Sequence, residues 1–147
     1  MIQDEYEEAA ALLEKIPEHY IDRVAKFLDS IEMKKEAYEI VRDMDFKFDL
    51  ALQLGMLDEA FEIIQSIDSS ESKWKQIGDV CLIDGRVDLA IQSYQKVEDL
   101  PSLFLIYSSL GMKDELAGIA KKARDATRFD IAFKAYFLLV IFFPYLG

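Results

Sequence analysis

The amino-acid sequence predicts an all-α chain: an α-solenoid of stacked antiparallel helix-turn-helix repeats, tetratricopeptide-like, with about ten helices. Three observations carry this expectation. Apolar residues recur at three- and four-residue steps almost throughout, and no strand-like alternation persists. Only three prolines occur, and Pro17 and Pro101 each stand where one helical pattern gives way to the next, as suits a residue favoured in a first turn and disfavoured inside. A Gly-x-x-Asp pattern returns at the spacing of one helical hairpin.

From the N-terminus, Ala9, Leu12, Leu13 and Ile16 form a first apolar stripe, which Pro17 separates from a second at Ile21, Val24, Phe27 and Leu28. The segment "EMKKEAYEI" at 32–40 is a faint copy of the repeat, with Glu32 at the Gly position and Lys35-Glu36-Ala37 at the Asp-Glu-Ala position. A non-Gly residue in the left-handed region is strained by about 1 kcal/mol. The first turn is therefore expected to be longer or of another type. Phe48, Ala51 and Leu52 lead to Gly55, and the clear copies follow: "GMLDEA" at 55–60, "GRVDLA" at 85–90 and "GMKDEL" at 111–116. The steps between 32, 55, 85 and 111 are 23, 30 and 26 residues, each enough for one hairpin.

Each residue type in the pattern has a physical reason. Gly closes a helix in the left-handed conformation at low cost, and the Asp three residues on either caps the next helix or favours its positive end. Ala60, Ala90 and, one position later, Ala117 are small enough to let paired helices approach, with Leu54, Leu110 and Ile63 as larger packing partners. A hairpin alone cannot bury its apolar face, so it must stack on its neighbours. No linker divides the chain, and residues 1–147 are read as one solenoid domain.

Composition narrows the function. Lys and Arg total 17 against 28 Asp and Glu, and the net charge of −11 is spread along the chain. Phosphate backbones and anionic lipid surfaces would repel it, so no nucleic-acid partner is expected. The single Cys81 cannot form an internal disulfide, and residues 2–8 are too acidic to begin a secretory signal, which predicts a cytosolic, reducing location. The longest apolar run, "AYFLLVIFFPYLG" at 135–147, falls short of the roughly 20 residues a membrane-spanning helix needs and reads as a buried helix.

No catalytic, cofactor or metal site is expected. His19 is the only histidine and reads as a solvated helix residue, since no second His or Cys can join it on a metal. Cys81, between Val80 and Leu82, lacks a nearby His and reads as buried packing. The paired acids Asp4-Glu5, Glu7-Glu8 and Asp58-Glu59 suit helix starts, and sequence neighbours point to different sides of a helix. The six glycines form no phosphate-binding loop, which leaves neither a nucleotide nor another small-molecule substrate in view. Trp74 has Ile77 and Cys81 at +3 and +7, which places it on an apolar stripe, although its ring would also serve as an interface anchor.

Three segments resemble a known family, the helical solenoid that follows the WD-repeat propellers in the large subunits of coatomer, the COPI vesicle coat. They are "FKFDLALQLGMLDEA" at 46–60, "SKWKQIGDVCLIDGRVDLAIQSY" at 72–94, and "LFLIYSSLGMKDELAGIAKKA" at 103–123 with "DIAFKAYFLL" at 130–139. Together they cover most of residues 20–139, and the likeness is nearer to the beta-prime-COP branch than to the alpha-COP branch. The resemblance implies a non-catalytic coat scaffold in ER–Golgi transport, on the cytoplasmic side of Golgi membranes, with other coatomer subunits as partners and alpha-COP foremost. It carries over no ligand-reading residue.

Two departures stand out: no propeller repeat is present, and "VIFFPYLG" stands where a polar turn and further helices belong. The chain is therefore expected to be part of a longer subunit. Phe137, Ile141, Phe142, Phe143 and Tyr145 form a candidate surface for a partner or for self-association. The competing expectations are an adaptor of another trafficking complex (tetratricopeptide-like, intraflagellar-transport or tethering) and an all-α enzyme using carboxylates. Steps of 23 to 30 residues disfavour a strict 34-residue tetratricopeptide array.

Overall fold

The computed structural model describes residues 2–142. Among them are ten helices and no strand: α1 (Ile2–Lys15), α2 (Glu18–Ser30), α3 (Lys34–Ile40), α4 (Met44–Gln53), α5 (Leu57–Ser66), α6 (Glu71–Ile83), α7 (Val87–Lys96), α8 (Leu100–Ser109), α9 (Lys113–Asp125) and α10 (Phe129–Ile141). They fall into two compact units that divide after Asp68, the first carrying α1 to α5 and the second α6 to α10.

The three glycine turns share one backbone solution. Gly55, Gly85 and Gly111 adopt φ of 73°, 80° and 67°, directly after a helix C-terminus. The next N–H in each case reaches the carbonyl five residues back: Met56 to Ala51 at 2.9 Å, Arg86 to Cys81 at 2.8 Å, and Met112 to Tyr107 at 2.9 Å. This is the Schellman closure, which satisfies carbonyls that the helix end would otherwise orphan.

Glu32 overturns an expectation, because its turn is neither longer nor of another type. It takes φ 64°, and Met33 N–H donates to Leu28 O at 2.9 Å, as at the glycine turns. Two further turns carry no glycine signal. Glu98 (φ 51°) and Thr127 (φ 58°) close α7 and α9, with Asp99 N–H on Tyr94 O at 3.0 Å and Arg128 N–H on Ala123 O at 2.7 Å. The paired backbone bonds hold the left-handed residue in place where the side chain disfavours it.

The Asp of the repeat acts on the helix dipole and not as a cap. The N-cap positions are Met56, Arg86 and Met112, none of which gives a side-chain cap, while Asp58, Asp88 and Asp114 lie in the first turn. True side-chain caps occur elsewhere: Asp43 accepts from Asp45 N–H at 3.1 Å, and Asp99 from Ser102 N–H at 3.3 Å. Pro17 is the N-cap of α2 and Pro101 stands in the first turn of α8, as the sequence predicts.

In the first unit α2 packs on α3, α3 on α4 and α4 on α5. Ala25, Ala37, Val41 and Leu50 form a buried cluster, flanked by Leu28, Tyr38, Ile40 and Phe46. Asp22 ties this core to its loop, its carboxylate accepting from Arg42 N–H at 2.8 Å and Asp43 N–H at 3.0 Å. The stripe predicted on α1 does not close: α1 buries no residue, and Leu12 is 62% exposed. On α2, Phe27 is also exposed.

In the second unit α6 pairs with α7, α9 with α10, and α8 contacts α7, α9 and α10. Ala90 is fully buried, as is Ala60 on α5 of the first unit, as expected of close-approach residues, and so is Cys81. Ala117 is exposed instead, because Leu116, Ile119, Ala120 and Ala123 form the inward stripe of α9 and leave position 117 on its far side. Leu110 follows the end of α8 and is likewise exposed.

Candidate functional site

The most tightly specified polar arrangement locks α6 to α7. Gly78 lets the ring of Tyr94 approach so closely that an added Cβ would lie 2.8 Å from its Cε1. The Tyr94 hydroxyl donates to the Asp79 carboxylate at 2.5 Å, and burial, then that carboxylate, push its pKa well above the usual tyrosine range. Ser93 on the same helix is buried and returns its hydroxyl proton to Leu89 O at 2.8 Å. Gln95 Nε2 donates to the Tyr107 hydroxyl at 3.0 Å, joining α7 to α8. Asp79 also faces outward, where it lines an open groove of about 610 Å³ with Glu71, Ser72, Lys75 and Gln76.

His19 is exposed with its ring 4.2 Å from that of Tyr20, while Cys81 is fully buried in the other unit. Among the described residues no group of His, Cys, Asp or Glu is placed to hold a metal ion, and no buried side-chain polar atom lacks a hydrogen-bond partner. Trp74 is half-buried and not a core residue, with Lys96 Nζ 5.9 Å above its ring, because it lies at the first turns of α6, outside the stripe's buried part at Ile77 and Cys81.

The surface ion pairs are local. Lys34 Nζ lies 2.6 Å from Asp29, and that hydrogen bond raises its pKa; Lys75 is raised in the same way by Glu71 at 2.9 Å. Arg86 hydrogen-bonds Asp88 and holds its carboxyl below the usual range. Tyr38 is pushed up by burial and then by Glu59 and Glu62, with Lys47 Nζ 5.0 Å above its ring. A groove of about 560 Å³ in the first unit is lined by the apolar Leu13, Ile21, Val41 and Met44 and by the charged Glu14, Glu39, Arg42 and Lys47.

What remains is apolar surface. On α10, Ile131, Ala132 and Ala135 face inward, while Phe129, Phe133, Tyr136, Phe137, Val140 and Ile141 are exposed, as is Phe142 just beyond. Of the residues expected to form a contact surface, Phe137, Ile141 and Phe142 are thus exposed; Phe143 and Tyr145 lie outside the described residues. A second patch, not foreseen, is a groove of about 270 Å³ lined by Leu82, Val87, Leu105, Ile106 and Leu110, of which Leu105 and Leu110 are exposed; Ile83 at the end of α6 is exposed as well. Ile83 falls off the Trp74-Ile77-Cys81 stripe, the one signal that could have marked it. No helix of the described residues is long and apolar enough to cross a membrane.

Comparison with known proteins bears on these surfaces. The family model described as COPA/B TPR domain matches residues 1–141. Coatomer subunit beta'-2 of Oryza sativa subsp. japonica is 38% identical over 139 residues, and coatomer subunit beta'-3 of Arabidopsis thaliana is equally so. Coatomer subunit beta' of Drosophila melanogaster is 31% identical over 138 residues. The matches take in 94–95% of this chain and about 15% of each relative's length.

Proposed function

This chain belongs to the COPA/B TPR domain family, and from that premise we propose that it is a non-catalytic scaffold segment of the COPI vesicle coat, acting in Golgi-to-ER and intra-Golgi transport. The observation that carries the reading is the coincidence of two things: coatomer beta' relatives align along nearly the whole chain, and the hairpin turns that the alignment spans recur in one geometry. Stacked hairpins offer long surfaces to other proteins.

The partners are other coatomer subunits, with alpha-COP the foremost, and the location is the cytoplasmic face of Golgi membranes. Membrane association is peripheral and runs through the coat, since a net charge of −11 opposes direct contact with anionic lipid. The relatives named above are coatomer subunits, which favours the coat over an adaptor of another trafficking complex. Mixing the purified chain with recombinant alpha-COP and with whole coatomer, followed by size-exclusion chromatography, tests the reading. Co-elution with either supports it; separate elution from both at micromolar concentration sinks it.

A further inference from the structure

The exposed face of α10 has a spacing that its inward face does not explain. Phe129, Phe133, Tyr136 and Val140 follow one another at steps of four, three and four residues and are 65%, 70%, 39% and 66% exposed. That is the seam spacing of one helix packing along another in a coiled coil. Phe137 stacks beside it, its ring 6.0 Å from that of Phe133.

From this we infer that α10 is a self-association surface, and that its occupant is a second copy of the same helix. Three features select that occupant. The first is area: at 150–250 Å² per aromatic side chain, scaled by the exposures of Phe129, Phe133, Tyr136, Phe137, Val140 and Ile141, the outward face of α10 offers roughly 600 Å² per copy. A pair of copies would bury on the order of 1,200 Å², at the low end of the range of about 1,200–2,000 Å² typical of stable interfaces. A lone monomer rarely leaves more than roughly 300–600 Å² of contiguous apolar surface open. The second is charge. The chain as a whole is strongly acidic, yet α10 carries one Asp130 and one Lys134, so two copies meet here without the repulsion they meet elsewhere. The third is shape: a regular seam on a single helix is its own complement about a two-fold axis.

Sedimentation velocity on the intact chain over the micromolar range tests this, with the variant Phe133→Ser/Val140→Ser beside it. Both side chains point outward, so helical content by circular dichroism is expected to stay unchanged. Ile83→Ser/Leu105→Ser, at exposed apolar positions on α6 and α8, is the control. The expected result is a wild-type dimer, a control dimer, and a seam variant whose dissociation constant is weaker by roughly tenfold or more. Should the seam variant lose helix, the single change Phe133→Lys at the same outward position takes its place with the same expectation. A wild-type chain that is monomeric throughout, or a folded seam variant that dimerises as the wild type does, overturns the inference.

Discussion

Replacing Gly78 with alanine tests the lock between α6 and α7 most directly. The new Cβ would lie 2.8 Å from Tyr94 Cε1 and 3.0 Å from Cζ, nearer than real packing allows. The ring cannot step aside cheaply: Tyr94 is 2% exposed and its hydroxyl is held at 2.5 Å by Asp79. Overpacking of this kind costs about 1–3 kcal/mol. Against it stands the better helix propensity of alanine, worth about 1 kcal/mol at a helical glycine. The rigid neighbour places the steric cost toward its upper range, so the net is a loss of about 1–2 kcal/mol, or a fall in Tm of roughly 2–8 °C for a chain of this size. The assay is thermal unfolding by circular dichroism, with Gly118→Ala as the internal standard. Gly118 is also helical, but an added Cβ there meets nothing within 4 Å, so that variant is expected to gain up to about 1 kcal/mol. If Gly78→Ala stabilises as Gly118→Ala does, the close approach is not what holds the pair together and the reasoning fails.

Thr127→Gly removes a β-branched residue from φ 58° and is expected to stabilise by about 0.5–1 kcal/mol after the entropy lost to glycine; denaturant unfolding would contradict this with an unchanged or lower midpoint. Asp22→Ala strips the acceptor from the Arg42 and Asp43 amides and should destabilise by about 1 kcal/mol, whereas Asp22→Asn, which keeps one acceptor oxygen, should recover part of it. The Asp88 carboxyl is held below its ordinary value by Arg86, so its contribution to stability is present at neutral pH and lost as pH falls through the folded-state midpoint. An NMR titration of Asp88 should show that low midpoint, and Arg86→Gln should raise it; no change on substitution would refute the assignment.

The helical class, the count of helices and the three glycine turns were readable because each rests on a local rule: a 3.6-residue period, or a residue that alone tolerates positive φ. Glu32, Glu98 and Thr127 adopt the same backbone with no such marker, since two main-chain hydrogen bonds enforce it after the fact. Periodicity found the stripes but not which would be covered. Leu12 and Phe27 sit on patterns as regular as those of α5 or α9 and remain exposed, because burial depends on what another element brings against them. Ala117 failed for a simpler reason: the third copy is offset by one residue, and one position on a helix is a rotation of 100° to another face. For the candidate surface, the unbroken apolar run at 137–143 was legible in the sequence, and the exposed 4-3-4 seam of α10 appeared only once Ile131, Ala132 and Ala135 were seen to face inward.

The uniform turn has a mechanical side. Each Schellman closure binds residues five apart in sequence, and the helices it joins are neighbours along the chain, so little of the structure depends on remote segments. Drawn from its two ends, a chain built this way would not give way in a single rupture; it would lengthen hairpin by hairpin. A repeat of about 26 residues releases on the order of 90 Å of contour as it straightens, and it would reclose quickly because the contacts to be remade are local. Force spectroscopy should accordingly record a staircase of small, reversible extensions, the behaviour of an element that yields to strain and recovers its length.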